Sequence, residues 1–215
     1  MTITLWGRLN SSNVQKVSWL LAELELDHEH LPLGGSFGGT DDPKYRALNP
    51  NGKVPTLRDG DLVLWESHAI VRYLAATYAS GLIWPVEPRE RAAADQWTDW
   101  TATTYQPAWI EVFWNLVRTP LDQQNRAAID KGIAQTIALQ RMLEERLSEV
   151  PYLGGKEFTY ADIVAGVSLY RWFTMPVERP SLPHFEAWYH RLKERKAFQA
   201  AVCVSYEELV GRLAF

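Results

Sequence analysis

The stretch from residue 49 to residue 70, NPNGKVPTLRDGDLVLWESHAI, decides the fold of this chain. Two runs of strand-forming residues, 54–57 and 62–65, flank the dipeptide Asp-Gly at 59–60, which is typical of tight β-hairpin turns. Ser67 follows the second run at or next to a helix N-cap position, and the apolar residues after it recur at helical spacing. The stretch therefore predicts an antiparallel hairpin that leads directly into a helix.

The residues before this hairpin alternate between strand and helix patterns. A short apolar strand at 3–6 precedes a helix whose apolar positions run from 14 to 24, and a second strand is predicted at 30–33. This β-α-β unit implies parallel strands joined by a right-handed crossover. With a short helix near 44–48, residues 1–80 follow the order β-α-β-α-β-β-α, which is the order of a thioredoxin-like α/β domain.

The residues after the hairpin helix indicate a second domain of a different class. A proline-containing linker at 81–88 precedes a pattern that is helical almost throughout residues 89–215. Pro107 lies inside the first predicted helix and should kink or split it. The predicted helices are 89–117, 124–147, 160–173 and 183–198. The expected fold is therefore a thioredoxin-like α/β domain followed by an all-α helical bundle.

Composition excludes several classes of function. The net charge of −4 leaves no cationic surface for nucleic acid or anionic lipid, and no run approaches the ~18 apolar residues of a membrane span. The N-terminal residues show no export signal and Cys203 is the single cysteine, so we expect a cytoplasmic protein in which Cys203 has no special role. Only His28 and His30 form a close histidine pair, without thiols nearby, so no metal site is expected.

Four short motifs lie on the predicted elements in a fixed order. They are Ser11-Ser12-Asn13-Val14, the run 49–55 (NPNGKVP), Glu66-Ser67-His68-Ala69-Ile70 and the run 158–163 (FTYADI). On these motifs the chain resembles a cytosolic glutathione transferase of the bacterial type close to the theta and delta classes, over essentially its whole length. The resemblance implies glutathione as co-substrate without a permanently bound cofactor, a small hydrophobic electrophile as second substrate, and a homodimer.

The first motif places hydroxyl and amide side chains at the start of a helix. The resemblance implies that Ser11 donates a hydrogen bond to the glutathione thiolate and that Asn13 is a second polar contact. Such a bond contributes ~1.5–3 kcal/mol and the helix N-terminus a further ~0.3–1 kcal/mol, which would lower the thiol pKa by about one to two units. Helix capping by these residues is the alternative, and Ser12 is the main competitor for the donor role.

The second and third motifs supply groups that bind glutathione. The resemblance implies a cis bond between Val54 and Pro55, with the Val54 backbone pairing with the cysteinyl backbone of glutathione like one more strand. Lys53 could reach the glycyl carboxylate, or it could be a solvated surface lysine. Ser67 at a helix N-terminus forms an anion site for the γ-glutamyl carboxylate, and Glu66 can pair with the adjacent amino group.

Aromatic residues concentrate in the first helix of the second domain. Transferases of this fold place a pocket for an apolar electrophile beside the glutathione sulfur, and Tyr105, Trp109 and Phe113 are candidates for its wall. The alternative is a core stripe, the usual reason for aromatic residues at helical spacing. Trp97 and Trp100 are assigned to the core or to a dimer interface.

Three functions are compatible with these motifs. The first is transfer of glutathione to an electrophile. The second is a glutathione-dependent peroxidase, disulfide reductase or dehalogenase activity on the same scaffold, although no cysteine lies near Ser11 for exchange through a protein thiol. The third is a non-enzymatic interaction module, which loss of the Val54-Pro55 or Glu66-Ser67 pair would have favoured. The fourth motif, Thr159-x-x-Asp162, predicts a capping box with a role in folding.

Overall fold

A four-stranded mixed sheet forms the centre of the first part of the chain. The computed structural model describes residues 3–214, and its first elements are β1 (Ile3–Trp6), α1 (Ser12–Glu23), β2 (His28–Leu31), α2 (Pro43–Leu48), β3 (Thr56–Asp59), β4 (Leu62–Trp65) and α3 (Ser67–Tyr78). The strand order is β2-β1-β3-β4; β1 runs parallel to β2 and antiparallel to β3, and β3 pairs antiparallel with β4. The predicted thioredoxin-like order is confirmed.

Two strands lie two residues away from their predicted positions. β2 ends before Pro32, and β3 begins after Pro55, because a proline has no N–H to donate to a sheet ladder. The positions predicted for these strands, 30–33 and 54–57, are therefore wrong by two residues, although both strands exist. The hairpin turn is as predicted, with Gly60 at φ +61° in the left-handed region that tight hairpins need.

The rest of the described chain is helical. It comprises α4 (Pro88–Trp100), α5 (Gln106–Phe113), α6 (Arg126–Glu149), α7 (Tyr160–Gly166), α8 (Leu169–Thr174), α9 (Pro183–Lys193) and α10 (Lys196–Ala201). A π-helical turn at Thr101–Tyr105 separates α4 from α5 just before Pro107, so the predicted split is confirmed. The helix predicted at 160–173 is divided, with the Ser168 hydroxyl donating to the Ala165 carbonyl at 2.8 Å where the helix breaks.

α1 is fixed firmly against the helical part. The ring of Trp19 meets that of Phe198 on α10 edge-on, with centroids 4.8 Å apart. Glu23 at the end of α1 accepts two hydrogen bonds of 2.7 Å from Arg195. A second link joins Arg72 of α3 to Asp95 of α4 at 2.7 Å. These contacts fix α1 and α3, the helices that begin in the first and third motifs, against the later helices.

The capping box at the start of α7 is confirmed. Asp162 is completely buried, and its carboxylate accepts hydrogen bonds from the backbone N–H groups of Leu153 and Thr159 and from the indole N–H of Trp188. The Thr159 hydroxyl is a further donor at 3.3 Å. Burial outweighs these donors and raises the pKa of Asp162 to about 6. The motif therefore ties the loop before α7 and helix α9 together.

Candidate active site

The loop between β1 and α1 places Ser11 at the start of α1. The loop begins at Gly7, where φ is +152° and an added Cβ would lie 2.4 Å from a methyl carbon of Val14, so only glycine fits there. Ser11 is the N-cap residue, and its carbonyl accepts the Gln15 N–H at 2.8 Å. Its side chain is 9% exposed and makes no capping hydrogen bond. The hydroxyl is therefore not used by the helix that it precedes.

The residue before Ser11 is held from the helical part of the molecule. The backbone carbonyl of Asn10 accepts a hydrogen bond from Nη2 of Arg171 on α8. The side-chain amide of Asn10 donates to Glu208 near the C-terminus. Arg171 is buried, and burial, reinforced by the nearby Arg8, lowers its pKa to about 10. The backbone that presents Ser11 is thus fixed by groups far away in sequence.

The second motif presents an unpaired backbone edge. The Val54–Pro55 bond is cis, as the resemblance implies. The Lys53 carbonyl, just before it, accepts hydrogen bonds from the Tyr45 hydroxyl at 2.6 Å and the Asn49 amide at 2.8 Å. Val54 itself precedes the β3 ladder, and within residues 3–214 no hydrogen bond engages its N–H or carbonyl. The Lys53 side chain is exposed.

The third motif begins α3 with an unusual backbone. Glu66 is the N-cap residue and has φ of +71°, a conformation that costs a non-glycine residue about 1–3 kcal/mol and tends to occur at functional sites. Its side chain is exposed, whereas Ser67, the first residue of the helix, is buried. The Ser67 hydroxyl lies 3.5 Å from Oδ1 of Asn13, two residues after Ser11. The first and third motifs therefore meet in the structure.

A buried lysine lies at this meeting point. Lys16 of α1 is 1% exposed, and its ammonium group donates to Oδ1 of Asn13 at 3.0 Å and to the Gln106 side-chain oxygen. Nε2 of His68 accepts at 2.8 Å, and the Ser67 hydroxyl oxygen lies 3.5 Å away. Burial, opposed by the negative charge of Glu66, lowers the pKa of Lys16 to about 7. The cluster joins α1, α3 and α5.

His68, which follows Ser67 in the third motif, belongs to this cluster through its contact with Lys16. Burial, together with the positive charges of Lys16 and Arg72, lowers the pKa of His68 to about 2. The imidazole is therefore neutral at physiological pH, and its Nε2 can accept the proton that Lys16 donates.

Sequence analysis identified Asn13 and Ser67 but missed Lys16 and Gln106. One available signal was that Lys16 lies close to a helix N-terminus, where a positive charge opposes the helix dipole and needs a reason. Gln106 gave no comparable signal, because it reaches the site from the start of another helix, ninety residues away in sequence.

A cavity of about 590 Å³ adjoins the β1–α1 loop, within the size range of small-molecule sites. Its walls include the four residues that precede Ser11, residues of the segment after β2, and the C-terminal segment. Phe37 and Leu9 border it and are 60% and 54% exposed, so an apolar surface is available there. Arg8, His30 and Glu208 supply the polar part of its wall.

The aromatic candidates for the pocket wall do not border this cavity. Tyr105, Trp109 and Phe113 are only 0%, 1% and 2% exposed and belong to the core. The Tyr105 hydroxyl is hydrogen-bonded within the interior, while Phe113 packs edge-on against Tyr206 at 5.4 Å. Their burial favours the alternative interpretation of these residues as a core stripe, because a fully buried ring has no surface to offer a ligand. Trp100 stacks on Tyr105 at 5.5 Å and belongs to the same cluster.

Cysteine reactivity and metal binding are the other site chemistries that the composition raises. Cys203 is half-buried, and burial raises the pKa of its thiol, which disfavours the reactive thiolate. No group of three or more His, Cys, Asp and Glu side chains between residues 3 and 214 could hold a metal ion. Over the same residues, every helix is too short or too polar to cross a membrane.

Comparisons with known proteins agree with this geometry. A family model described as "Glutathione S-transferase, N-terminal domain" matches residues 1–76, and one described as "Glutathione S-transferase, C-terminal domain" matches residues 126–191. Glutathione S-transferase GstB of Escherichia coli (strain K12) is 42% identical over 204 residues, which cover 94% of this chain and 98% of that protein. Glutathione S-transferase 3 of Zea mays is 33% identical, covering 93% of each chain.

A solved structure is similar over nearly the whole chain. The theta class glutathione S-transferase of the citrus canker pathogen Xanthomonas axonopodis pv. citri, solved with glutathione bound, superposes with a TM-score of 0.92. It is 49% identical in sequence, and the match covers 95% of this chain and 98% of that one.

Proposed function

The chain belongs to the glutathione S-transferase family and is a glutathione transferase, and from this premise we propose that its Ser11 hydroxyl activates the thiol of bound glutathione. Glutathione is its co-substrate, and the relatives favour conjugation over the peroxidase, reductase, dehalogenase and interaction-module alternatives. The Ser11 hydroxyl donates to the thiolate, which lowers the thiol pKa because the charged form is the one stabilised. The thiol proton passes to solvent as the thiolate forms, and a sulfur lone pair then bonds to the electrophilic carbon. In a substitution, the bond from that carbon to its leaving group breaks and the leaving group departs with the electron pair. In an addition to an activated double bond, the displaced π pair takes up a proton from solvent.

The observation that carries this proposal is the contact between Asn13 and Ser67. It brings the N-termini of α1 and α3 together, with a Ser11 hydroxyl that caps nothing beside them. In the proposed complex, Ser67 binds the γ-glutamyl carboxylate and Glu66 pairs with its amino group. The free backbone groups of Val54, before Pro55, pair with the cysteinyl residue.

Two of the predicted site residues, Asn13 and Lys53, have more limited roles in this proposal than the resemblance implies. Asn13 positions Ser67 and Lys16, because its amide oxygen already faces both, rather than contacting the sulfur as sequence analysis suggests. Lys53 is exposed and remains a candidate for the glycyl carboxylate only.

Ser11→Ala tests the catalytic part of the proposal, with Ser12→Ala as the matched control. Thiolate absorbance of bound glutathione should be titrated against pH in both variants and in the wild type. Loss of a hydrogen bond to a charged acceptor should raise the thiol pKa by about one to two units in Ser11→Ala alone. The reverse result, with only Ser12→Ala affected, would transfer the role to Ser12. If the wild type fails to bind glutathione, the whole site assignment is wrong.

We further propose that the hydrophobic electrophile enters the cavity bordered by Leu9 and Phe37. The support is its position directly before Ser11 and its exposed apolar side chains. In this arrangement Phe113 acts indirectly, by supporting Tyr206 in the C-terminal segment that lines the cavity. A crystal structure with an S-aryl glutathione tests the placement, and an aryl group bound elsewhere would contradict it.

The remaining expectations from the family are also proposals. We propose a homodimer in the cytoplasm, with each chain divided into residues 1–80, a linker at 81–88 and residues 89–215. Exposed Leu62 and Trp65 on the edge strand β4 support an apolar contact with a second copy. Sedimentation velocity tests the dimer, and a monomer at micromolar concentration would contradict it.

A further inference from the structure

Lys16 is a buried cation that is surrounded by neutral hydrogen-bonding groups. Within residues 3–214 no carboxylate lies within ion-pair distance of its ammonium group. Its polar neighbours are instead four neutral groups: the amide oxygens of Asn13 and Gln106, Nε2 of His68 and the hydroxyl of Ser67. Buried charges in proteins are ordinarily paired, because neutral dipoles replace only part of the hydration that burial removes.

The position of Lys16 shows where a compensating negative charge would fit. Its Nζ atom is 3.5 Å from the Ser67 hydroxyl oxygen, at the N-terminus of the twelve-residue helix α3. An anion that accepts a hydrogen bond from Ser67 would lie close to this ammonium group as well as to the positive end of the helix. Two independent features therefore point to the same place: a helix terminus, and a buried cation that forms no ion pair within residues 3–214.

We propose that the Lys16 ammonium is the counter-charge of the γ-glutamyl carboxylate of glutathione, so that glutathione binds preferentially to the form in which Lys16 is protonated. This inference rests on the proposed function, which places that carboxylate at Ser67. Lys16 adds a positive charge next to the Ser67 hydroxyl. The affinity for glutathione therefore depends on whether Lys16 carries its proton.

The other charged groups around Lys16 leave it as the group that titrates near neutral pH. On α3, Glu66 favours its protonation, His68 is neutral, and Arg72 is paired with Asp95. On α5, Gln106 carries no charge. Arg195, which precedes α10, binds Glu23, seven residues or about 10 Å further along α1, and Asp162 of α7 is enclosed by its own donors.

The sign of the coupling follows from linkage. Free Lys16 has a pKa of about 7, and a bound carboxylate must raise that pKa because it stabilises the charged form. Binding therefore takes up protons at and above neutral pH. Affinity should fall as pH rises above about 7, by up to tenfold per pH unit, until the pKa of the complex is reached.

Calorimetry with S-methylglutathione tests this coupling without interference from the thiol. Titrations at pH 7.5 in buffers of different ionisation enthalpy report the protons taken up. The wild type should take up a substantial fraction of one proton. Lys16→Met should bind about 10- to 100-fold more weakly and retain only the uptake due to the amino group of the ligand. Lys16→Arg should keep affinity within a few fold but lose the same uptake, because arginine does not titrate in this range.

A second ligand identifies the carboxylate as the partner. An analogue with 4-aminobutyrate in place of the γ-glutamyl residue keeps the amino group and lacks the carboxylate. Lys16→Met should then bind it as well as the wild type does. If Lys16→Met weakens both ligands equally, or wild type and Lys16→Met take up equal numbers of protons, the inference is wrong while the glutathione site stands. If the wild type does not bind S-methylglutathione at all, the proposed function fails with it.

Discussion

Asp162 and Lys16 are both completely buried titratable side chains, one in the helical part of the molecule and one in the α/β part. Both oxygens of Asp162 receive hydrogen bonds, from two backbone N–H groups and from the indole of Trp188 among others. Lys16 donates to neutral groups from three helices, and no carboxylate among residues 3–214 lies within ion-pair distance of it. The fold alone supplies hydrogen-bond donors to both oxygens of the Asp162 carboxylate. It supplies neutral acceptors to the Lys16 ammonium group but no opposite charge within ion-pair distance in the part of the chain that the structure describes.

This difference separates a charge that serves folding from a charge that serves a ligand. The donors around Asp162 belong to the loop and helices that it joins, so removing the carboxylate removes structure. The Lys16 ammonium lies 3.5 Å from the Ser67 hydroxyl oxygen, at the N-terminus of α3 in the candidate active site. Burial alone does not distinguish the two groups; the sign and completeness of the surrounding dipoles do.

The largest expected effect is the loss of stability in Asp162→Ala. The change leaves the N–H groups of Leu153 and Thr159 and the Trp188 indole buried without an acceptor. We expect the free energy of unfolding to fall by about 3–5 kcal/mol, measured by urea denaturation. The control is Asp130→Ala, whose half-exposed carboxylate pairs with Arg126 on one helix turn and should matter by less than about 0.5 kcal/mol. Equal effects in the two variants would refute the folding role of Asp162.

The next effect is a pair of opposite pH dependences in the ligand-free protein. The pKa of Asp162 is raised from 3.8 to about 6, so the folded chain holds an extra proton between these values. The stability linked to that proton is fully present below pH 3.8 and is lost as pH rises to about 6. The pKa of Lys16 is lowered from 10.5 to about 7, so the unfolded chain binds the extra proton between these values, and stability rises with pH there. Each slope is at most about 1.4 kcal/mol per pH unit.

Unfolding midpoints measured across pH 4–10 check these slopes. Because other groups also titrate, the slope of each variant is compared with that of the wild type. Asp162→Asn should flatten the pH dependence of stability only in the lower window, between pH 3.8 and about 6. Lys16→Met should flatten it only in the upper window, between about pH 7 and 10.5. Saturating S-methylglutathione should reduce the upper slope, because bound Lys16 keeps its proton to higher pH, and should leave the lower slope unchanged. A ligand effect in the lower window, or none in the upper one, would break the distinction between the two groups.

The parts of the structure set by local rules were predictable from sequence. The Asp59-Gly60 turn, the break near Pro107 and the Thr159 to Asp162 capping box each depend on residues adjacent in the chain. Strand positions depended on where prolines interrupt the ladders, which the apolar pattern alone did not show, and β2 and β3 were therefore misplaced by two residues. The glutathione-binding motifs were found through family resemblance, which contains spatial information that a pattern lacks.

The cluster around Lys16 was not predictable for a physical reason. Most residues of α1 are buried, and the helix packs against α3, α7 and α10, so its periodicity does not single out one buried face. Aromatic spacing could not separate a pocket from a core either, because Tyr105 and Trp109 obey the same helical period in both cases. Only the three-dimensional arrangement shows which of these residues has a surface available to a ligand.

The smallest expected effect concerns Gln106, which joins the helical part to the Lys16 cluster. Its amide donates to Oδ1 of Asn13 at 3.2 Å, and its oxygen accepts from Lys16. Gln106→Leu should cost about 0.5–1.5 kcal/mol of stability and weaken S-methylglutathione binding roughly 3- to 10-fold. Loss of an acceptor should also lower the pKa of Lys16 and so move the fall in affinity to lower pH.

Gln140→Leu is the matched control for this last prediction. Gln140 is also buried and donates to a neutral partner, the Tyr105 hydroxyl at 3.3 Å, but it lies in the core away from the cluster. Its loss should cost a similar amount of stability and leave both the affinity for S-methylglutathione and its pH dependence unchanged. If both variants weaken binding equally, the helical part supports the site through general rigidity. If Gln106→Leu alone does so, the contact with Lys16 and Asn13 carries the effect.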